Sequence, residues 1–231
     1  MSETVLVIPD THYPFAHRDH LDFLCEVRDT YHPTKIVHIG DELDYHAISE
    51  HDHDPDGWSP GQEFRRGLRE LKKLYAEFPE ASVCVSNHGA RPYRRAYKYG
   101  IPRRFLKEYK QLLEAPDGWN WGDKWEIDGV LYEHGEGVSG KFGHLKAAEQ
   151  NMQSTVIGHI HAHAGIAYAA NPRYLIFGFN VGWLGNKDTY AMAYGKNFRS
   201  KPIVGCGIIR AGIPLYVPMQ LRKGGRWTGK V

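Results

Sequence analysis

The chain opens with a short unbroken apolar run, Val5-Leu6-Val7-Ile8, that ends at Pro9. Such a run predicts a strand over Thr4 to Ile8, covered on both faces. From Leu21 to Val27 the apolar positions fall at helical spacing, and Lys35 to Ile39 is a second apolar run stopped by Gly40. Strand, helix and strand in that order favour a parallel pair. Ser59-Pro60-Gly61-Gln62 reads as a helix start, with Ser59 as N-cap, Pro60 in the first turn and Gln62 closing a capping box. Leu68, Leu71, Leu74 and Tyr75 carry that helix on. Ser82 to Val85 predicts a third strand. A basic helical region runs from about Arg94 to Leu113, interrupted near Gly100-Ile101-Pro102.

The second half is patterned differently. Trp125 to Ile127, Asp128-Gly129 and Val130 to Tyr132 predict a hairpin, because Asp-Gly accepts the positive φ angles of a type I′ turn. Lys146 to Met152 is expected to be helical. Thr155 to Ile157 is another apolar run, stopped by Gly158. Gly165 to Pro218 alternates short apolar runs with Gly and Asn, which predicts several strands joined by turns. The basic, glycine-containing end, 222–231, is expected to be disordered. The whole, 1–231, reads as one α/β domain, with mostly parallel strands first, antiparallel strands later and helices outside.

Composition narrows this picture a little. An apolar share of 42% supports a sizeable core, and a net charge of +2 does not by itself mark a nucleic-acid binder. Cys25, Cys84 and Cys206 are too far apart for a CxxC site and odd in number, which argues against a disulfide framework. There is no apolar run of about 18 residues and no signal-like start, so no membrane is expected and the chain reads as cytoplasmic, in a bacterium or a phage-infected host.

The chemistry lies in the 14 histidines, many of them beside Asp, Asn or Gly. Neutral imidazole is the commonest metal ligand and the usual proton carrier near neutral pH. The predicted strands lead in turn into Asp10-Thr11-His12, Gly40-Asp41-Glu42-Leu43-Asp44, Ser86-Asn87-His88, His134, and Gly158-His159-Ile160-His161. Any one of these could be turn chemistry or a satisfied histidine. Ligand sites gather at the carboxyl ends of strands in α/β sheets, so together they point to one centre. Oxygen and imidazole donors without thiolate suit manganese, iron or zinc. The candidate ligands are too many for one ion and suit two, if one carboxylate bridges.

Taken in order, these motifs resemble the calcineurin-like metallophosphoesterase superfamily over about residues 5–165. The resemblance implies a four-layer αββα sandwich of mixed sheets with flanking helices, and a hydrolase of phosphate esters. It implies two divalent ions, manganese first, with iron, zinc or nickel as alternatives. Asp10, His12 and His161 would hold one ion, Asn87, His134 and His159 the other, and Asp41 both. A hydroxide between the ions would attack phosphorus, His88 would protonate the leaving oxygen, and Asp44 would orient His88. Two positions depart from the family pattern: Ser86 stands in place of Gly, and Gly89 in place of an acidic residue.

The substrate is less sharply indicated. Protein phosphatases of the superfamily carry arginines where Tyr45 and Val85 stand here, which disfavours phosphoproteins. Arg91, His46 and His17 are candidates for contacting substrate. The basic stretch from Arg91 to Lys110, interleaved with Tyr93, Tyr97, Tyr99 and Tyr109, suits a phosphodiester, with DNA or RNA as one candidate. A phosphomonoesterase, or a metal-stabilised nucleic-acid-binding protein without turnover, are the alternatives. Glu50 to Asp54 is a metal-friendly run that reads as a solvated loop, and Trp119, Trp121 and Trp125 as core rather than base-stacking residues. The oligomeric state is not indicated.

Overall fold

Two sheets lie face to face in the computed structural model, which describes residues 2–50, 54–195, 197 and 199–231. The first is built from β1 (Thr4–Ile8), β2 (Lys35–His38), β3 (Glu80–Cys84), β4 (Gly118–Gly122), β10 (Gly205–Arg210) and β11 (Ile213–Pro218), in the order β11-β10-β1-β2-β3-β4. The four strands from β1 to β4 run parallel, and β10 joins β1 antiparallel. The second sheet has β5 (Lys124–Ile127), β6 (Val130–Glu133), β7 (Thr155–Ile157), β8 (Gly165–Ala170) and β9 (Leu175–Asn180), in the order β5-β6-β7-β9-β8.

Strand alternation decides which layer each side chain enters. Val5 and Val7 of β1 point between the sheets, with Val37, Ile39 and Cys84, against Val130, Tyr132, Val156 and Phe179 of the second sheet. Leu6 and Ile8 point the other way, onto α1 (His20–Tyr31) and α2 (Pro60–Glu77), through Phe23, Leu24, Leu71 and Leu74. On the far face of the second sheet α5 (Gly143–Asn151) seats Ala147 beside Ile157. It packs so closely that a Cβ on Gly178 would fall 2.1 Å from the His144 carbonyl oxygen. Helix, sheet, sheet and helix give the expected αββα order.

Local signals correspond to local structure. Ser59 accepts from the Gln62 backbone N–H, and Gln62 reciprocates, with Pro60 opening α2. Asp128 and Gly129 both take positive φ, 49° and 73°, so the β5–β6 turn has the geometry Asp-Gly favours. The basic helical region is broken into α3 (Arg91–Lys98), a 3-10 turn over Arg103–Phe105, and α4 (Tyr109–Leu112).

Two features differ from expectation. β4 was hidden by its Gly and Asn, and pairs along β3; Trp119 is fully buried and donates to the Phe78 carbonyl, while Trp125 donates to the Val83 carbonyl. The end of the chain is docked instead of disordered. Arg226 binds the Asp19 carboxylate at 2.7 Å, Trp227 sets its ring against Phe23, and Leu221 bridges Trp227. A buried carboxylate at the start of α1, Asp19, holds this segment, which charge and glycine content alone did not indicate. Among the described residues no helix is long and apolar enough to cross a membrane. Of the metal-friendly run Glu50 to Asp54, His51, Asp52 and His53 lie outside the described residues.

Candidate metal centre

Parallel pairing puts the carboxyl ends of β1, β2 and β3 on one edge, and β6 and β7 do the same in the facing sheet. The loops leaving those ends are interlocked: the His12 N–H donates to the Asp41 carbonyl at 2.8 Å, and the Asp44 N–H to the Tyr13 carbonyl at 3.0 Å. Several non-glycine residues here sit in the left-handed region, His12 at φ 49°, Asp41 at 51°, Tyr45 at 54° and His159 at 63°. Each costs about 1 kcal/mol or more and is typical of functional loops held by their surroundings. Gly40, at φ 110°, could carry no side chain without meeting Ser86 and His134, and a Cβ on Gly158 would lie 2.4 Å from Asp10 Oδ1.

These loops bring the ligands together in two sets. Asp10 Oδ2 lies 2.9 Å from His161 Nε2, and His12 Nε2 lies 3.1 Å from the same atom. With Asp41 their donor atoms all fall within 4.8 Å of one another. In the other set Asn87 Oδ1 lies 2.7 Å from His134 Nε2 and 3.2 Å from His159 Nδ1. Asp41 Oδ2 is 3.5 Å from His134 Nε2 and 3.7 Å from His12 Nε2, so one carboxylate faces both sets.

The donor set suits cations. Asp10 and Asp41 are buried, and Asp10 Oδ1 has no hydrogen-bond partner, a costly state for a buried carboxylate oxygen. Two Nε2 atoms 3.1 Å apart must repel unless a proton or a cation lies between them. His134 uses Nδ1–H on the Ile39 carbonyl at 3.0 Å, and His12 uses Nδ1 on Asp44 Oδ2 at 3.0 Å. Each ring is thereby turned so that Nε2 looks into the centre, the way metal-binding histidines are oriented. Burial works against ionising Asp41, yet His134, His88 and His12 around it hold it well below the usual carboxylate range. His12 is likewise opposed by burial, but Asp44 and the other carboxylates raise it to about 9. Burial pushes His88 down to about 4.

Asp44 is placed differently from its expected role. Its carboxylate orients His12; His88 Nδ1 instead donates to the Asp44 backbone carbonyl at 2.6 Å, with the nearest carboxylate oxygen 3.9 Å away. The left-handed turn at Tyr45 leaves that carbonyl facing His88 and Arg91. Arg91 donates to the Asp44 and Tyr45 carbonyls, at 2.7 and 3.1 Å, and to His88 Nε2 at 3.2 Å. It therefore stands beside His88, as a substrate contact would.

The two histidine candidates are otherwise engaged. His17 accepts the Asp19 N–H on Nδ1 and donates Nε2–H to the Gly225 carbonyl, so one ring nitrogen braces the start of α1, the other holds the end of the chain, and neither is left for a phosphate. His46 is buried, with its ring against Phe15 and Tyr190.

Contacts also matter that the motifs did not indicate. Ser86 accepts from the Asp41 N–H at 2.8 Å and the Gly89 N–H at 3.2 Å. This hydroxyl ties the β2 and β3 loops together, and its buried position explains why serine serves at this departure from the family pattern. A Cβ on Gly89 would lie 3.1 Å from that hydroxyl, so the missing acidic side chain leaves a tight hydroxyl-bridged turn. Trp183, fully covered, stacks on His161 at 4.9 Å and backs the first set. Glu42 is buried and accepts from Trp121 at 2.6 Å; burial raises it to about 7. A lone Trp or Ser in sequence carries no signal for such contacts.

No family model matches the chain. It is similar to the "Gene 54 protein" of Mycobacterium phage L5, with 26% identity over 125 residues, 53% of this chain. The match spans 36% of that curated relative's length, about a third. Among solved structures it is similar to YfcE, a phosphoesterase from E. coli, with 14% identity, coverage of 89% and 87% of the two chains, and a TM-score of 0.43. It is similar to Vacuolar Protein Sorting 29 from Cryptosporidium parvum, with 11% identity, coverage of 90% and 86%, and a TM-score of 0.44. Nuclease MPE of Pseudomonas putida is a further similar structure, with 11% identity, coverage of 91% and 86%, and a TM-score of 0.39. What marks the centre is its own construction: the order of motifs from Asp10 to His161, gathered at the strand ends of an αββα sandwich, resembles that of the calcineurin-like metallophosphoesterases.

Proposed function

We propose that the protein hydrolyses phosphodiesters with two divalent ions, manganese first among them. The observation that carries the reading is the convergence of both ligand sets on Asp41, with His88 at the rim, 4.0 Å from Asp41 Oδ2. Asp10, His12 and His161 would hold one ion, Asn87, His134 and His159 the other. Bound there, such ions supply Lewis acidity, neutralising the phosphate and lowering the pKa of water.

The chain's own groups do the rest. His88 keeps Nδ1–H on the Asp44 carbonyl and turns Nε2 towards the centre. That nitrogen accepts an N–H from Arg91 and carries no proton while Nδ1–H is held, so it would pass a proton to the leaving oxygen only after taking one up from solvent or from the attacking water. Arg91, beside it, binds the non-bridging oxygens, and its charge is held ready by two backbone carbonyls. Asp44 is a positioning residue that acts through His12. The phosphoprotein reading is disfavoured by Tyr45, whose ring packs on Phe64 where family phosphatases have an arginine. A basic segment leading away from His88 favours a diester.

The experiment is hydrolysis of bis-p-nitrophenyl phosphate against p-nitrophenyl phosphate, with manganese and then with chelator. Chelator-sensitive turnover with the diester faster is the expected result. A preference for the monoester moves the reading to a phosphatase, and no metal-dependent turnover of either overturns it.

A further inference from the structure

The segment that follows His88 leaves the molecule wearing aromatic rings on its surface. Tyr97 is 86% exposed, Tyr99 73% and Phe105 73%, with Ile101 beside them. Such rings are normally found at least half covered, and three within nine residues is not ordinary surface. Within the segment the charges are almost all positive, with Arg94 also paired to the exposed Glu136 at 3.5 Å. Arg94, Lys98, Arg104 and Lys107 are exposed, and Glu108, the only acidic residue from 90 to 110, is held by Arg103 at 2.9 Å. Helical spacing puts Arg94, Tyr97 and Lys98 on one face of α3, since residues three and four apart are neighbours. Arg94 starts that face at the centre itself: its guanidinium donates to the Asn87 carbonyl at 2.7 Å. The other face of α3 is spent on structure, with Tyr93 and Ala96 buried and Arg95 bonded to the Ile48 carbonyl. From Arg91 to Lys98 the helix rises about 10 Å, a few nucleotides' reach.

We infer that this arm, residues 94–107, is a platform for single-stranded nucleic acid, on which Tyr97, Tyr99 and Phe105 stack unpaired bases while Arg94, Lys98, Arg104 and Lys107 track the backbone towards His88. Stacking rings set among cations are what an unpaired strand needs, whereas a duplex hides its base faces. An acidic protein partner would be drawn by the charges but has no use for flat rings standing free in water. The inference rests on the phosphodiesterase reading for what happens to the strand, but not for its binding.

The test uses the full-length protein as purified. A fluorescent, hydrolysis-resistant phosphorothioate oligothymidylate of about 12 nucleotides, within usual site sizes, is titrated and its anisotropy read, beside a duplex of equal length. Base stacking is worth about fivefold or more per ring, so Y97A/Y99A/F105A is expected to weaken single-strand binding on the order of 100-fold and duplex binding far less. These side chains are exposed, so the variant should fold; an unchanged circular-dichroism melt verifies it. K98E/R104E should in addition flatten the salt dependence of binding. Single-strand affinity unchanged in the triple variant, or an equal loss for strand and duplex, overturns the platform. Turnover of the small diester by the parent protein tests the phosphodiesterase reading separately, so either can fail without the other.

Discussion

The two halves of the centre are built from unequal charge. The half made by Asp10, His12 and His161 has its own carboxylate, shares Asp41, and has a third carboxylate, Asp44, behind His12. The half made by Asn87, His134 and His159 has only the shared Asp41, and His134 leans on a neutral carbonyl. Cover differs too: Asp10 and His12 are buried and His161 is backed by Trp183, while Asn87 and His159 are partly open. A divalent ion is held by the negative charge close to it in a low-dielectric surround. The first half should therefore keep its ion, and the second should exchange it.

Removing one ligand from each half should have the largest effect. Asp10→Asn should empty the first half, with a loss exceeding the roughly 10–100-fold that an outer partner costs; Asn87→Ala should empty only the second. The metal-to-protein ratio after desalting reads both. Equal ratios in the two variants, or a parent that loses its first ion first, would end the claim of asymmetry. A smaller change sharpens it: Asp44→Asn removes the carboxylate that orients His12 and should weaken the first ion by roughly 10–100-fold while leaving the second. If Asp44 acted on His88 instead, affinity would hold and the pH profile of turnover would move.

A separate effect sets the pH range in which the two halves can be assayed. His12 and His20 are both buried, yet carboxylates raise the first to about 9 while burial lowers the second to about 4. His20 gives Nδ1–H to the His17 carbonyl, which favours the charged ring, and faces the Tyr13 hydroxyl at 2.6 Å, but burial outweighs that bond and holds the ring neutral. Its folded value lies below its unfolded 6.5. Stability from this residue is thus fully present above pH 6.5 and is lost as pH falls towards 4, by about 1.4 kcal/mol per pH unit at most. Thermal midpoints measured against pH should show that slope, and His20→Gln should flatten it; an unchanged slope would mean other groups carry it.

Much of this molecule is legible along the chain. The ends of β1, β2 and β7 were marked by Pro9, Gly40 and Gly158, α2 by its Ser59–Gln62 box, and the β5–β6 turn by Asp128-Gly129. Each signal is local, because φ preference and capping involve residues a few positions apart. The ligand residues were legible for a related reason: chemistry limits which side chains can bind a cation, and strand ends are where they gather.

The kind of residue available at each strand end, and the breaks that end the strands, are written locally along the chain. Which partner each of them meets is settled by packing in the folded molecule. Asp44 turns to His12, Ser86 reaches the Asp41 N–H across 45 positions, His161 rests on Trp183, and His17 and Asp19 hold the last residues of the chain. Those contacts follow from β1, β2 and β3 lying parallel side by side, from β10 lying antiparallel against β1, and from one sheet facing the other. Pairing of that kind is set by burial summed over whole strands and helices, and no short stretch of sequence carries it.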